Sequence, residues 1–530
     1  MWNEAVFYTR LALGLRKLAK TAPLADPEGA TLRQFANRET TFLELMRVGV
    51  FDNPRTPYRE MLRLAGCEYG DLARGVKQNG LEPTLETLRS AGVSLTHDEF
   101  KCKTPIVRGG REIPSDRTCF QNPAIHPLYR GRSSGSRNRV TPTPYSLEFI
   151  LYRDARNTLR MQELGATGKA FLVFRPTLPA PNGLRMTLPR KGEQPADCWF
   201  AEGGNAGGWH YRLATAGIAR FVRIGWKNPI GAGVMPRNLP ANDFLPVAQW
   251  IARRKSEGVG TVGRMSPSGA VRIASTALEH GVDIAGTIFV CGGEGISAAK
   301  RARIGAAGAQ IFGSYPMSEI GTIGHACRHM TEGNDVHLFE DTVAVLSDRR
   351  RLPFSEDEAN VLLFTTLLPF AGQVLINADM GDTGTIATVK CDCSFSRMGF
   401  HKQIRDIASH SKLTGYGVTL VGTDVVRVLE EFLPARLGGS PCDYQLVQHD
   451  ETGDTQVSLR VSPRVGVDSA DRVKALFLEG VRGHFGGAVA VRLWKHAEAV
   501  EVVFAEPLTT VTGKVLPLHL VKPSGRKSDA

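Results

Sequence analysis

Five short segments along the chain combine glycines, hydroxyls and charged side chains that could bind a nucleotide and its phosphates. The first segment begins with Ser133, Ser134, Gly135 and Ser136 and ends with arginines at positions 137 and 139. Hydroxyls, unhindered backbone N–H groups and guanidiniums so close together suit a polyphosphate. Considered alone, the segment is equally typical of a solvated Ser/Gly linker.

The second and third segments each follow an apolar run typical of a buried strand. Gly293 and Glu294 follow the first run, and glycines there would let a flat ring such as adenine approach the backbone. After the second run, Tyr315 offers an aromatic face, Ser318 a hydroxyl, and Glu319 a carboxylate suited to Mg²⁺. Alone, Tyr315 also fits a core position, and Glu319 fits the first turn of a helix.

The last two segments supply a carboxylate and a lysine. Asp382 lies in ADMGDTG, where a tight turn would let its carboxylate accept two ribose hydroxyls. Lys514 lies in TVTGK, on a loop with a glycine hinge. Separately, the first pattern is typical of a simple turn and the second of a surface lysine.

A separate group of sulfur and imidazole side chains has the composition of a zinc site. The set is Cys327, His337, Cys391 and Cys393. Three thiolates and one imidazole would make a closed, tetrahedral and structural site. His325 and His329 are alternative ligands, and buried reduced cysteines with a surface histidine are the alternative interpretation.

Three glycine motifs match known signatures in spacing but not in context. Residues 258–263 (GVGTVG) have dinucleotide-binding spacing but follow a charged segment, which predicts a loop. Residues 165–169 (GATGK) lack the hydroxyl residue of a phosphate loop and predict a helix C-cap. Residues 131–135 (GRSSG) have nucleophile-elbow spacing, yet NPAIHPLYR before them does not look like a strand, so a serine hydrolase is a minor alternative.

Alternating helix and strand patterns position these segments. Residues 145–164 predict a helix, and residues 169–176 predict the buried strand after it. Helix, strand, helix and strand patterns also follow one another over residues 268–315, with strand ends near Gly292 and Ser314. Because parallel strands end at the same edge of a sheet, and open α/β sheets bind ligands there, these ends predict a binding crevice.

The predicted fold class is α/β, with a large N-terminal body containing parallel or mixed sheets and a small α+β C-terminal domain. Residues 1–110 predict a helical entry region of that body, residues 111–403 its nucleotide-binding α/β part, and residues 404–530 a mobile α+β domain. A helix is predicted near residues 402–409. The stretch 181–212, rich in Gly, Pro and Trp, predicts an inserted loop.

The composition is typical of a soluble enzyme with more than one folding unit, at 530 residues, 42% hydrophobic and 22% charged. The net charge of +12 is spread along the chain without an aromatic-basic motif, which favours small anionic substrates over nucleic acid. Nine cysteines without a secretion signal indicate reduced thiols. No apolar run approaches the ~20 residues that span a bilayer, so we expect a cytoplasmic protein with no membrane partner.

The five segments resemble, in order and separation, the successive motifs of the adenylate-forming superfamily. SSGSRNR, GGEG, SYPMSE, GDTG and TGK correspond to its SSGTTG-like, GGE-like, YGxTE-like, GDLG-like and GK elements. GNDVHLFED and GVTLVGTDVVRVLEEF further resemble phenylacetate-CoA ligase-like proteins. The likeness extends from roughly residue 95 to the end of the sequence.

The resemblance implies a role for each segment. It implies that Ser133, Ser134, Gly135 and Ser136 bind the phosphates and that Gly293, Glu294 and Tyr315 contact the adenine. It further implies that Ser318 binds phosphate, that Glu319 binds magnesium and that Asp382 binds the ribose. Lys514 would contact the carboxylate and the α-phosphate. Some phenylacetate-CoA ligase-like proteins are also similar in holding a structural zinc ion before the C-terminal domain.

The implied reaction uses ATP and Mg²⁺ to convert an aryl or fatty acid into an acyl-adenylate and then transfers the acyl group to a thiol. CoA is the first expectation for that thiol, and the C-terminal domain would swing to admit it. The alternatives are transfer to a carrier-protein or protein thiol, as in acyl-protein synthetases, and a weakly active binding protein that keeps the fold. A homodimer is the usual state of such soluble enzymes.

Two stretches depart from the family pattern. Where relatives continue TGKP after the serines, residues 137–140 here read RNRV. Where relatives carry a hinge arginine followed by acids, residues 408–411 read ASHS, and Arg405 is the nearest replacement. These departures predict altered phosphate binding or a changed second half-reaction.

Overall fold

A computed structural model describes most of the chain. The described residues are 2–132, 142–178, 180, 185, 196–202, 208–223, 234–331, 334–351, 358–409, 412–415, 418–450, 455–482, 500–510 and 513–521. The predicted phosphate-binding residues Ser133, Ser134, Gly135 and Ser136 lie outside these ranges. Within them, no helix is both long and apolar enough to cross a membrane.

Helices make up most of the first hundred residues, as their apolar periodicity predicts. They are α1 (Trp2–Lys20), α2 (Pro27–Ala36), α3 (Arg38–Met46), α4 (Pro57–Leu64), α5 (Tyr69–Asn79), α6 (Leu81–Ser90) and α7 (His97–Phe100), with a π-helical turn at Arg47–Phe51. Phe42 and Leu85 from these helices share a buried core with Phe364 and Ile404. The helical region therefore packs on a sheet formed much later in the chain.

Two antiparallel hairpins follow the helices. They are β1 (Ile106–Arg108) with β2 (Arg111–Ile113), and β3 (Tyr129–Arg132) with β4 (Pro142–Tyr145). Most of NPAIHPLYR is not a strand, as predicted; only its last two residues belong to β3, through pairing with β4. The next described element is strand β4, and residues 133–141 between the two strands lie outside the described residues, so the nucleophile-elbow alternative stays untested.

A parallel sheet of six strands forms the next part, in the order β10-β9-β8-β5-β6-β7. Its elements are α8 (Leu147–Glu163), β5 (Ala170–Phe174), β6 (Cys198–Glu202), α9 (Gly208–Arg223), β7 (Pro236–Leu239), α10 (Leu245–Ser256), β8 (Thr261–Met265), α11 (Pro267–Glu279), β9 (Ile288–Cys291), α12 (Ala298–Ala306) and β10 (Gln310–Phe312). The predicted helices and strands at residues 145–176 and 268–315 are confirmed, as is the parallel pairing of the last two strands. Strands β5, β8 and β9 are buried throughout, as expected for a parallel sheet covered on both faces.

Two loop predictions in this region were wrong in part. The stretch 181–212 contains strand β6 and the start of helix α9, because its Trp and Cys residues add a buried strand to the parallel sheet. Gly263 of the GVGTVG motif lies inside strand β8, where a side chain would clash with Met265 and Phe289. The predicted C-cap at Gly165 is confirmed, since this residue has φ +59° just after helix α8.

An antiparallel sheet of seven strands lies beside the parallel one, in the order β11-β12-β13-β17-β16-β15-β14. Its elements are β11 (Ser314–Met317), β12 (Gly321–His325), β13 (Val336–Leu338), β14 (Val343–Arg351), β15 (Glu358–Thr366), β16 (Ala378–Thr388), α13 (Ser394–Arg397) and β17 (Lys402–Ser409). The helix predicted near residues 402–409 was wrong: this segment is a central strand, fixed by pairing on both sides. The predicted domain boundary near residue 404 falls within it, and the division into domains stays a prediction.

The last part of the chain combines helices with a mixed sheet of four strands, in the order β22-β21-β20-β23. Its elements are β18 (Lys412–Gly415), β19 (Val418–Val421), α14 (Gly422–Arg427), a π-helical turn (Val428–Phe432), α15 (Leu433–Leu437), β20 (Tyr444–Asp450), β21 (Thr455–Val461), a 3₁₀ turn (Pro463–Val465), α16 (Ala470–Arg482), β22 (Val500–Phe504) and β23 (Leu518–Val521). The predicted strand VAVRLW lies outside the described residues. The predicted fold class, α/β followed by a smaller α+β part, is confirmed.

Candidate active site

The carboxyl ends of β8 and β9 lie at the same edge of the parallel sheet and form one wall of a candidate crevice. After β8, the Ser266 hydroxyl accepts a hydrogen bond from the Gly269 N–H and caps helix α11. After β9, the Glu294 carboxylate accepts hydrogen bonds from the Ser268 N–H (3.0 Å) and hydroxyl (2.9 Å). The carboxylate therefore lies at the N-terminus of α11, where negative charge is favoured.

The loop that carries Lys514 lies on this wall. The Lys514 Nζ donates a hydrogen bond to the Gly293 carbonyl at 2.6 Å. Beside it, the Val515 N–H donates to the Ser268 hydroxyl at 3.2 Å, so the loop contacts both strand ends. The tight turn has Gly513 at φ +74°, and a side chain there would also lie 3.2 Å from Pro176.

The surroundings of Lys514 disfavour its charged form. Burial lowers the pKa of the Lys514 ammonium, the Glu294 carboxylate raises it, and the Arg175 guanidinium lowers it further, with a net decrease. An ammonium in such surroundings is poorly solvated by water. An anion bound next to Lys514 would therefore gain a strong electrostatic partner.

Strand β11 forms the opposite wall and brings two predicted nucleotide contacts together. The Tyr315 hydroxyl donates a hydrogen bond to Asp382 Oδ2 at 2.6 Å. Burial, followed by the Asp382 charge, raises the pKa of the Tyr315 hydroxyl well above its usual value, which keeps it a donor. The backbones of the two walls approach closely, since a side chain at Gly292 would lie 3.0 Å from the Ser314 carbonyl oxygen.

The tight turn predicted around Asp382 was wrong. Asp382 lies within strand β16, opposite Ser409 of β17. The backbone is irregular just before it, with Gly381 at φ +91° and its N–H bound to Asp379 Oδ1 at 2.7 Å. A side chain at Gly381 would contact His97, a residue that no sequence motif singles out. The irregular strand still presents the carboxylate beside Tyr315.

Ser318 and Glu319 lie just beyond β11, where Ser318 is partly buried and Glu319 is buried. The Glu319 carboxylate is buried and forms an ion pair with Lys101 Nζ at 3.1 Å. Burial raises the pKa of the Tyr145 hydroxyl to about 12, against the lowering effects of Arg153 and of a hydrogen bond with Ser318. Sequence reasoning missed Lys101 because its partner is 218 residues away.

Cys327, His337, Cys391 and Cys393 form a compact group next to strands β12 and β13. Their candidate ligand atoms all lie within 4.8 Å of one another. The Sγ atoms of Cys327 and Cys391 are 3.7 Å apart, and Cys393 Sγ is 3.2 Å from His337 Nε2. Since a zinc ion bound at about 2.3 Å from each sulfur places tetrahedral sulfurs about 3.8 Å apart, the donor set fits zinc.

The ring of His337 is oriented for ligation through Nε2. Its Nδ1 lies 3.0 Å from the Phe400 carbonyl, so a proton on Nδ1 donates there and leaves the Nε2 lone pair facing Cys393. Hydrogen bonds from Cys327 and His337 lower the pKa of the Cys393 thiol well below its usual range, although burial opposes this. His325 instead packs edge-on against Phe339 and is outside the four-residue group.

No family model matches the sequence, and no curated protein does. Several solved structures are similar to this chain. A 2-hydroxyisobutyryl-CoA ligase in complex with 2-HIB-AMP and CoA is 15% identical, with 97% of this chain and 90% of that chain covered and a TM-score of 0.43. O-succinylbenzoate coenzyme A synthetase from Bacillus subtilis, in complex with ATP and magnesium, is 11% identical, with coverages of 82% and 80% and a TM-score of 0.39. ATP-bound MatB from Rhodopseudomonas palustris is 15% identical, with coverages of 74% and 67% and a TM-score of 0.38.

Proposed function

We propose that this chain is an AMP-forming acid–thiol ligase of the phenylacetate-CoA ligase-like type. It would use ATP to convert an aryl or fatty acid into an acyl-adenylate and then transfer the acyl group to CoA. The observation that carries the proposal is the position of Lys514, which is hydrogen-bonded to Gly293 on one wall of a crevice whose other wall holds the Tyr315–Asp382 pair. The order of the motifs in the sequence and the contacts made by Lys514 and Tyr315 support the proposal.

The first half-reaction joins a substrate carboxylate oxygen to the α-phosphorus of ATP and breaks the bond to the β-phosphate bridge, releasing pyrophosphate. Negative charge concentrates on the α-phosphate oxygens as both bonds change. The Lys514 ammonium would stabilise that charge, and its partly buried position strengthens the attraction. No covalent intermediate with the enzyme is needed.

The other residues of the crevice would bind the nucleotide. Asp382 would accept the ribose hydroxyls, and Tyr315, held by its bond to Asp382, would present a ring face to the adenine. Gly293, which has φ of +87°, would border the adenine, and a side chain at this position would displace the Lys514 ammonium, since it would lie 2.7 Å from Lys514 Nζ. Ser133, Ser134, Gly135 and Ser136 would bind the phosphates.

Magnesium, when bound, would neutralise charge on the phosphates of ATP. Glu319 has the hard oxygen donors that Mg²⁺ prefers. Its carboxylate is already paired with Lys101, so magnesium and the lysine would compete for it, and Lys101 would have to exchange partners as Mg-ATP enters. The phosphates offer Lys101 a new anionic partner.

We also propose that Cys327, His337, Cys391 and Cys393 hold a structural zinc ion. The group is closed, with three buried members and one partly buried. Zinc would link the loop after β12, strand β13 and the loop before α13, and so would stabilise this part of the antiparallel sheet. With four protein ligands, the ion would have no position for substrate.

The proposal is tested by acid-dependent exchange of labelled pyrophosphate into ATP, across a panel of aryl and fatty acids. We expect exchange with one acid class and its loss in Lys514→Ala, by about 10²-fold or more, since removal of one such stabilising contact has effects of this size. Lys255→Ala is the matched control, because this exposed lysine pairs with Asp283 far from the crevice.

Addition of the acceptor then distinguishes the thiols. Thioester formation with CoA supports the ligase proposed here, whereas formation only with a carrier-protein thiol supports the acyl-protein synthetase alternative. ATP binding without exchange for any acid would contradict the enzyme proposal and favour a binding protein that keeps the fold.

A further inference from the structure

Glu163, at the C-terminal end of helix α8, is fully buried and contacts two loops that are distant in sequence. One oxygen, Oε1, accepts from the Arg328 Nε at 3.0 Å and from the Arg328 N–H at 3.4 Å. The other, Oε2, accepts from the Ser394 N–H at 2.8 Å and from the Ser394 hydroxyl at 2.5 Å. The carboxylate is thus bound on both sides.

The two residues that bind Glu163 are the immediate neighbours of two candidate zinc ligands. Arg328 follows Cys327, and Ser394 follows Cys393. Each carboxylate oxygen therefore holds the backbone next to one ligand cysteine. Because both cysteine loops bind the same carboxylate, which helix α8 holds in place, Glu163 fixes the distance between the two loops. The side chain of Glu163 has no exposed surface, whereas that of Arg328 is 54% exposed, so the carboxylate is the fixed member of the network.

We infer that Glu163 is a positioning residue for the zinc site, which sets the separation of Cys327 and Cys393 before the metal binds. The inference rests on the proposed zinc site. A tetrahedral zinc ion tolerates little variation in ligand position, so loops that are already held in place bind it more tightly than loops that must first be ordered. Glu163 itself does not ligate the metal, because its oxygens are used by Arg328 and Ser394.

A carboxylate is specifically needed at this position. All four contacts to Glu163 come from donors, and a carboxylate offers two accepting oxygens. A glutamine of the same size offers one accepting oxygen and one NH₂ group, which would face donors in one of the two loops. Glu163→Gln would therefore release one cysteine loop without leaving a cavity.

The test measures metal affinity of the full-length protein directly. Zinc affinity is determined by competition with a chromophoric chelator, and Co²⁺ is used as a second probe because its thiolate charge-transfer bands report the ligands. We expect Glu163→Gln to bind zinc 10- to 100-fold more weakly than the wild type, the usual effect of losing an outer contact of a metal ligand. The Co²⁺ bands should be weaker or shifted.

Asp154→Asn is the matched control. Asp154 lies on the same helix, is fully buried, and pairs with Arg185 at 2.6 Å, away from the cysteine loops. The control should keep wild-type zinc affinity. An equal loss of affinity in both variants would overturn the inference, since it would show only that α8 had been destabilised.

Ser394→Ala is a milder second variant in case Glu163→Gln does not fold. It removes one donor to Oε2 at a partly buried position and should weaken zinc binding in the same direction by a smaller factor. Wild-type affinity in Glu163→Gln or in Ser394→Ala would overturn the inference while leaving the zinc site intact. A wild-type protein that binds neither zinc nor Co²⁺ would instead contradict the zinc proposal itself, and the inference with it.

Discussion

Lys514 has two charged neighbours that act on it in opposite directions. Glu294 raises the pKa of the Lys514 ammonium and Arg175 lowers it, while burial provides the largest lowering effect. Because the proposed role requires a charged ammonium, activity should fall as pH rises through this lowered pKa. The alkaline limb of the pH profile thus reports the state of a single residue.

Glu294→Gln should move that alkaline limb to lower pH, because it removes the carboxylate that favours the charged lysine. Arg175→Gln should move the limb to higher pH, because it removes a repulsive guanidinium. The measurement is the pH dependence of kcat/KM for pyrophosphate exchange, which reports groups of the free enzyme. Shifts in the same direction for both variants would contradict the assignment of the limb to Lys514.

At the residue scale, the sequence predicted candidate residues of the crevice but not their immediate partners. Tyr315 and Asp382 were each assigned to a nucleotide contact, yet nothing in the sequence shows a hydrogen bond between residues 67 positions apart. Glu319 was predicted as a magnesium ligand, and its pairing with Lys101 became visible only in three dimensions. The side chains were found through their chemistry, whereas their pairing depends on how distant strands pack.

Strand β12 packs against β13 so closely that glycine is required at one position. A side chain at Gly324 would lie 2.2 Å from the His337 carbonyl oxygen and 2.7 Å from the Val336 side chain. Both neighbours belong to β13, which carries a proposed zinc ligand. The separation of two strands and the position of His337 are therefore linked.

Gly324→Ala should destabilise the protein by at least about 2 kcal/mol, because strand β13 must move away from β12. Denaturant unfolding with chelator present measures this change apart from metal binding. Gly305→Ala is the control: it lies in helix α12 with open space around its Cα, and should stabilise the protein by up to about 1 kcal/mol. Similar effects of the two substitutions would contradict the close packing of β12 on β13.

At the element scale, prediction succeeded where local sequence alone decides the structure. Helix α11 and strands β9 and β10 have strong apolar patterns and were found, with their parallel arrangement. Strand β17 was mistaken for a helix because its one fully buried apolar residue, Ile404, gives no alternating pattern. Pairing with β13 and β16 determines its structure, and such long-range pairing cannot be recognised in eight residues.

A buried ion pair joins the parallel-sheet part of the molecule to its C-terminal part. Lys300 of helix α12 lies 2.8 Å from Glu430 in the π-helical turn Val428–Phe432, with side chains only 5% and 2% exposed. Burial lowers the pKa of Lys300, but the Glu430 and Glu294 carboxylates raise it more, so the lysine stays charged. The Ser297 hydroxyl donates a further bond to Glu430 at 2.6 Å.

Lys300→Met should destabilise the protein by roughly 3–5 kcal/mol, because it leaves the Glu430 carboxylate buried without its partner. Combining it with Glu430→Leu should recover most of that loss, since the unpaired charge is then removed. Denaturant unfolding of the two single variants and the double variant measures the coupling. Lys255→Met at the exposed Lys255–Asp283 pair should leave the unfolding curve unchanged. Additive losses in the double variant would show that the pair does not link the two parts.

Strand β17 also determines where the chain can be divided. It lies between β13 and β16 in the seven-stranded sheet, although it follows both in sequence. A fragment that stops at residue 403 would lose this central strand and expose two unpaired strand edges, which invite aggregation. A fragment that continues through Ser409 would keep the sheet closed on both sides of β17, so attempts to isolate the N-terminal part should cut after this strand.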